Sequence, residues 1–208
     1  QRMITLVSDI LQLSELDGMS KQQENSPTAD FVPVDLGVLV KDVATNMTVN
    51  ARKAYITLQY KVQPVTVRGS HDLLTELVTN LCDNAIRYNR PGGHVELSCG
   101  TNTDGCPYFC VEDNGIGMTS EFLERIFTPF ERAEDSRMSQ AAGTGLGLAI
   151  TKSIVEMMEG DIYVESEKDM GSRFTVEIPL KLPKQQVQEL PDLAGYSVLV
   201  ADDDQDAC

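Results

Sequence analysis

The sequence predicts a fold of mixed α-helix and β-strand, and three observations predict it. Residues 71–89 place Leu73, Leu74, Leu77, Val78, Leu81, Ala85 and Ile86 at helical spacing, the pattern of an amphipathic helix with one face on a core. A second amphipathic pattern spans residues 36–54. Between and after them, short runs at 56–62, 95–99, 108–111, 161–166 and 173–178 read as strands, the first with apolar and polar residues alternating as in a half-buried strand.

Taken in order, residues 1–16 carry Met3, Ile4, Leu6, Val7, Ile10, Leu11, Leu13 and Leu16 near heptad spacing and read as the last part of a helix, ended near Asp17-Gly18. Such a stripe needs a partner, within the chain or from a second copy. Residues 21–29, polar and containing Pro27, read as a linker. Residues 31–34 form a short strand, and Asp35 stands as N-cap of the 36–54 helix. A further short strand lies at 65–67. The breaker Arg90-Pro91-Gly92-Gly93 ends the central helix, and the turn-rich 100–105 stretch joins the next two strands. A short helix at 120–126 follows, then a loop at 133–142 whose lack of apolar periodicity reads as mobile. Gly143-Thr144-Gly145-Leu146-Gly147 opens a helix to about Met158, and Gly171 separates the last two strands. A linker at 183–192 leads to an apolar strand at 197–201 that runs into Asp202, Asp203 and Asp204.

Composition narrows the function. The chain has 208 residues, enough for one substantial domain with flanking pieces, and 41% hydrophobic with 24% charged residues is the balance of a soluble globular protein. No apolar run approaches the ~20 residues of a membrane span and no signal peptide is visible, while the mid-helix start leaves a span upstream open. Five cysteines, without CxxC or Cys/His spacing, argue against zinc. Cys82, Cys99, Cys106 and Cys110 read as reduced cytosolic thiols. A net charge of −15 argues against a nucleic-acid surface. Any polyanionic ligand would have to be held by local dipoles and a metal.

Three stretches carry candidate chemistry. Glu76, Asn80 and Asn84 stand at i, i+4 and i+8 and share one side of the central helix, with Arg87 and Tyr88 a turn later. Amide oxygens are hard ligands suited to Mg²⁺ and add no repulsion against a triphosphate. Arg87 can neutralise phosphate and Tyr88 can stack on a base. Alone, the stripe reads equally as a solvated helix face. Asp113 ends a strand before Gly115 and Gly117. Its carboxylate could accept from the exocyclic amine of adenine, a contact worth about 1.5–3 kcal/mol. The two glycines would let backbone approach a flat ring and take up positive φ. The same residues also fit an ordinary Asp-Asn-Gly turn. Residues 143–147 place free N–H groups and a macrodipole where phosphate is favoured. A Rossmann turn or a hinge fits that pattern as well, but a P-loop does not, because no Gly-Lys-Ser/Thr follows.

In order, these motifs resemble the GHKL ATP-binding superfamily in the form found in bacterial sensor histidine kinases, and the receiver-like tail at 195–208 adds a resemblance to the hybrid type. Residues 76–89 resemble its asparagine box, Asp113 to Gly117 (with Ile116) its first glycine box, and Phe127-Thr128-Pro129-Phe130 its phenylalanine box. Gly143 to Gly147, with Leu148, resembles the second glycine box, and the stretch from Gly171 and Ser172 to Pro179 the closing glycine–strand motif. The likeness covers residues 31–182, and the ordered set of five is specific. It implies an α/β (α+β) two-layer sandwich, a mixed β-sheet packed against helices, with ATP held under a mobile lid. By that implication Asp113 reads adenine, Asn80 and Asn84 approach Mg²⁺ and the phosphates, and Arg87 contacts phosphate. The ATP-binding set is then Asn80, Asn84, Arg87, Tyr88, Asp113, Gly115, Ile116, Gly117, Phe127, Phe130, Gly143, Thr144, Gly145, Leu146, Gly147, Leu148 and Ser172. Gly145 and Gly147 would hinge the lid and Phe127 and Phe130 would anchor its near end, although both fit equally as core aromatics.

The flanks resemble kinase parts. Residues 1–20 look like the end of the dimerisation and phosphoacceptor hairpin, 183–194 a linker, and 195–208 the first strand and acidic pair of a receiver domain. Neither His71 nor His94 matches the phosphoacceptor motif. Superfamily ATPases of the gyrase, chaperone and mismatch-repair kinds carry a glutamate where Asn80 stands, and an amide cannot take a proton from water. The expectation is therefore an ATP-dependent histidine kinase domain, cytoplasmic, from a membrane-anchored, homodimeric parent. Its partners would be the phosphoacceptor hairpin and a receiver domain or response regulator. A nucleotide-sensing switch without phosphotransfer and a superfamily ATPase are the rivals.

Overall fold

The computed structural model describes residues 31–131 and 144–179. The expected helix at 1–16, both linkers, the loop at 133–142 with Gly143, and the receiver-like 195–208 lie outside the described residues. Elements follow as β1 (Val32–Asp35), α1 (Leu36–Lys53), β2 (Thr57–Val62), β3 (Thr66–Gly69), α2 (His71–Arg87), β4 (His94–Thr101) and β5 (Pro107–Asp113). Then come α3 (Ser120–Leu123), α4 (Gly147–Met157), β6 (Asp161–Glu167) and β7 (Gly171–Glu177).

β1 and β3 pair antiparallel as a small sheet of their own. The main sheet has five strands in the order β2-β4-β5-β7-β6, with β2 parallel to β4 and all other pairs antiparallel. One row of the strands turns Val95, Leu97, Phe109, Val111, Phe174 and Val176 into the core. α1 packs on β2 and β4, α2 on β4 and β5, and α4 on β6, with α2 flanked by α1 and α4. The result is an α/β sandwich with a mixed sheet, in which the central helix is buried along Leu74, Leu77, Val78, Leu81, Cys82, Ala85 and Ile86. Each such Leu or Val contributes about 1.5–3 kcal/mol of burial. That is why the stripe opposite them is left for polar side chains.

Helix starts follow the expected chemistry. Asp35 caps α1, its Oδ1 accepting from the Val38 N–H at 3.0 Å, and Ser70 caps α2 through the Leu73 N–H. Ends differ more. The central helix stops at Arg87 rather than Asn89, because Asn89 turns its amide to the His94 carbonyl and the Arg90 N–H. The helix expected over 120–126 is a single turn, Ser120–Leu123. Beyond it Arg125, Thr128 and Glu131 each donate to the residue three before, so the chain proceeds by tight turns towards Phe130. The helix expected to open at 143–147 starts at Gly147, since Gly145 has φ +76°, outside any right-handed helix. Gly171 is the first residue of β7 rather than a spacer.

Candidate functional site

Three features converge at the helix-side face of the sheet. The first is Asp113, the last residue of β5. It stands in register with Ser172 of β7, which is in register with Ser166 of β6. Directly opposite residues share a face, so these three side chains form one row across the sheet. The Asp113 Oδ1 accepts from the Gly115 N–H at 2.7 Å, and the Ser172 N–H also favours the ionised carboxylate. Burial nevertheless pushes the carboxyl up to about 6 against the pull of those two donors.

The loop after Asp113 is fastened on both sides. Ile116 donates to the Tyr88 carbonyl at 3.1 Å and its own carbonyl accepts from the Asp169 N–H at 2.7 Å. The positive φ expected of Gly115 and Gly117 holds for one of them. Only Gly117 has positive φ, at +60°. A side chain on Gly117 would overlap the Glu167 carbonyl oxygen, and one on Gly115 the Tyr88 carbonyl oxygen. Their bareness accommodates the protein's own backbone. Arg90 reinforces the closure, its guanidinium 2.6 Å from Asp169 Oδ1.

The second feature is the polar stripe of α2. Asn80 and Asn84 are half-buried, and among the described residues neither amide is held by a side-chain hydrogen bond. Both carbonyl oxygens remain available. Arg87 is engaged by Asp83 one turn back, a partner the sequence reading did not include. Tyr88 is the C-cap of α2, with its N–H on the Asn84 carbonyl.

The third feature is the start of α4. Its N-cap, Leu146, supplies no side-chain cap, so the first-turn N–H groups have no side-chain acceptor there. Thr144 Oγ1 instead takes the Leu146 N–H at 3.4 Å. Leu146 is fully buried and Leu148 packs against the core, which fixes the helix start over α2. The direction of the absent Gly147 side chain leads to the Asn80 amide at 4.0 Å. Macrodipole and amide oxygens therefore meet at one place.

Phe127 and Phe130 part company. Phe127 packs against the core, with Lys152 Nζ 5.6 Å from its ring centroid. Phe130 is 58% exposed, with φ +66°, and is no core aromatic. It is tied to Gly145 by backbone instead. Its N–H donates to the Gly145 carbonyl at 3.0 Å, and a side chain at Gly145 would crowd the Phe130 backbone at 3.1 Å. Glu131 adds an ion pair to Arg125 at 3.0 Å.

Sequence reasoning missed Asp83, Arg90, Asp169 and Ser166. The i, i+4 spacing of Asp83 and Arg87 was readable as a helix-face pair. Ser166 meets Ser172 through strand register, and Arg90 meets Asp169 of the β6–β7 turn across the fold, contacts for which the sequence carries no local signal.

A buried carboxylate acceptor, two amides without a side-chain hydrogen bond and a helix N-terminus without a side-chain cap are chemistry suited to a base and to phosphates. Residues 69–182 match the family described as histidine kinase-, DNA gyrase B-, and HSP90-like ATPase, and the chain belongs to that family. It is 32% identical over 188 residues to the sensor histidine kinase WalK of Bacillus subtilis (strain 168), a match covering 87% of this chain and 29% of WalK. It is 34% identical over 178 residues to the sensor protein GacS of Pseudomonas syringae pv. syringae, covering 83% of this chain and 19% of GacS. Full-length ShkA in complex with AMPPNP superposes with a TM-score of 0.70 at 27% identity, over 85% of this chain and 35% of ShkA. The nucleotide-free catalytic domain of the histidine kinase ThkA does so at 0.62 and 25%, over 73% of this chain and 96% of that domain. The described fold is thus an ATP-binding catalytic domain of the sensor-kinase kind, and the chain spans less than a third of the curated relatives it matches.

Proposed function

We propose that this domain binds Mg²⁺-ATP and presents the γ-phosphate to a histidine on a phosphoacceptor helix, making the chain part of an ATP-dependent protein-histidine kinase. The observation that carries the reading is the Asn80 amide beneath the first turn of α4. A carboxylate there would serve as a base for water, whereas an amide holds the phosphates without activating a nucleophile. Asp113 and the Ser172 beside it receive the adenine amine, and the free N–H groups of α4 receive phosphate oxygens. Arg87, tethered to Asp83, stands at the same stripe as a second phosphate contact.

The donor set fits a nucleotide-borne Mg²⁺. No group of three or more His, Cys, Asp or Glu side chains among the described residues could hold a metal, and Asn80 and Asn84 supply neutral oxygens on one stripe. Once bound, the ion would neutralise charge developing on the phosphates. The parent protein is read as a homodimeric, membrane-anchored hybrid kinase, with residues 1–20 from its phosphoacceptor hairpin and 195–208 from a receiver domain. Among the described residues no helix is long and apolar enough to cross a membrane.

The test is to mix this chain with labelled ATP and a separately supplied phosphoacceptor hairpin. Label on the hairpin, lost with its histidine, is expected. Nucleotide binding without transfer would replace the kinase by a nucleotide-sensing switch, and steady phosphate release without label by an ATPase.

A further inference from the structure

Ser166 belongs to none of the five motifs, yet its hydroxyl sits at a junction. We propose that Ser166 is a positioning residue that fixes the hydrogen-bonding polarity of the base end of the site and thereby selects a 6-amino purine over a 6-oxo purine. The proposal rests on the reading of Asp113 as the adenine acceptor.

The Ser166 hydroxyl donates to the Gly171 carbonyl at 2.8 Å, accepts from the Met118 N–H at 2.9 Å and lies 3.0 Å from the Ser172 hydroxyl. A serine hydroxyl has one hydrogen and two lone pairs. Its hydrogen is committed to Gly171, whose carbonyl can only accept. Met118 occupies one lone pair. The contact with Ser172 must therefore run the other way, with Ser172 donating into the remaining lone pair. All three valences of Ser166 are then used.

The consequence falls on Ser172. With its only hydrogen turned to Ser166, its oxygen has acceptor capacity alone, and no other donor reaches it among the described residues. Its cross-strand neighbour Asp113 is also an acceptor, and the Gly115 N–H points into that carboxylate rather than outward. The base end thus offers lone pairs only. An amine at purine C6 brings hydrogens to them, whereas a 6-oxo group brings lone pairs against lone pairs. Without the Ser166 hydroxyl, Ser172 is free to rotate and donate to a 6-oxo group.

The experiment measures dissociation constants for ATP and ITP, each with Mg²⁺, on the whole chain and on its Ser166→Ala and Ser166→Thr variants, with thermal unfolding followed in parallel. The chain should prefer ATP, and Ser166→Ala should narrow the ATP-to-ITP ratio about tenfold, the worth of one hydrogen bond to a charged or desolvated partner. Ser166→Thr keeps the hydroxyl and should keep the ratio. Equal binding of the two nucleotides by the unaltered chain overturns the proposal, as does a parallel loss of both in Ser166→Ala at constant ratio. Binding of neither by the unaltered chain overturns the nucleotide reading itself. Should Ser166→Ala not fold, Ser172→Ala decides. It should weaken ATP about tenfold with ITP little changed, and an unchanged ratio overturns the proposal.

Discussion

At Asp113 burial opposes ionisation and two backbone N–H groups favour it, and burial wins, since the carboxyl is raised from 3.8 to about 6. A raised folded-state value means that the unfolded chain binds fewer protons between those limits, so stability falls as pH rises through that window. The full cost is present above pH 6 and amounts to about 3 kcal/mol at 1.36 kcal/mol per unit. Asp113→Asn keeps an acceptor for Gly115 without the charge. In urea denaturation at pH 7 the variant without nucleotide should be more stable than the parent by up to about 3 kcal/mol, and by about half as much at pH 5. The same substitution should cost ATP affinity ~10²-fold in calorimetry, because an amide also presents N–H groups to the adenine amine. Ser166 shows the complementary case, a neutral group whose importance lies in where its single hydrogen goes.

Among the elements, the β6–β7 hairpin and the loop after Asp113 form one interlocked unit. Gly117 faces the Glu167 carbonyl at positive φ, Asp169 donates to Ile116, and Ser166 holds Met118. Gly117→Ala meets both left-handed strain and backbone overlap and should destabilise by about 2–4 kcal/mol in denaturant titration, with nucleotide binding lost alongside. The Arg90–Asp169 pair, about half exposed on each side, bridges the same hairpin to the end of α2. Exposed pairs contribute roughly 0–1 kcal/mol, so Arg90→Ala should leave the denaturation midpoint nearly unchanged. Helix caps act more locally. Asp35→Ala removes the acceptor for Val38 and should cost about 1 kcal/mol by the same titration.

Over the whole molecule, a net charge of −15 is set against a polyanionic ligand. On the proposed reading, local arrangement offsets it: the amides of Asn80 and Asn84 are neutral, the positive end of the α4 dipole would face the phosphates, and Arg87, paired with Asp83, stands on the same stripe. Free ATP must still cross the global repulsion, so removing Mg²⁺ with a chelator should weaken ATP binding by at least about tenfold at low salt. Raising ionic strength should narrow that gap, since screening reduces the repulsion felt by metal-free ATP more than that felt by its Mg²⁺ complex. Calorimetry with and without chelator, at two salt concentrations, checks both directions.

By itself the sequence determined the elements and their order. Apolar spacing placed α1 and α2, turn residues placed the breaks, and Asp113, Asn80 and the glycines were legible as candidates because each is a local pattern. Helix ends were less legible, since Asn89 leaves α2 for His94 and Arg125 begins tight turns through bonds that no propensity specifies. Only the tertiary structure decided that Gly115 and Gly117 serve the protein's own backbone, that Phe130 acts by its main chain, and that Ser166, Ser172 and Asp113 share one row. The physical reason is register. Helical and strand periodicities are written within a few residues, but which residue stands opposite which across three strands is fixed by the summed packing of the sheet.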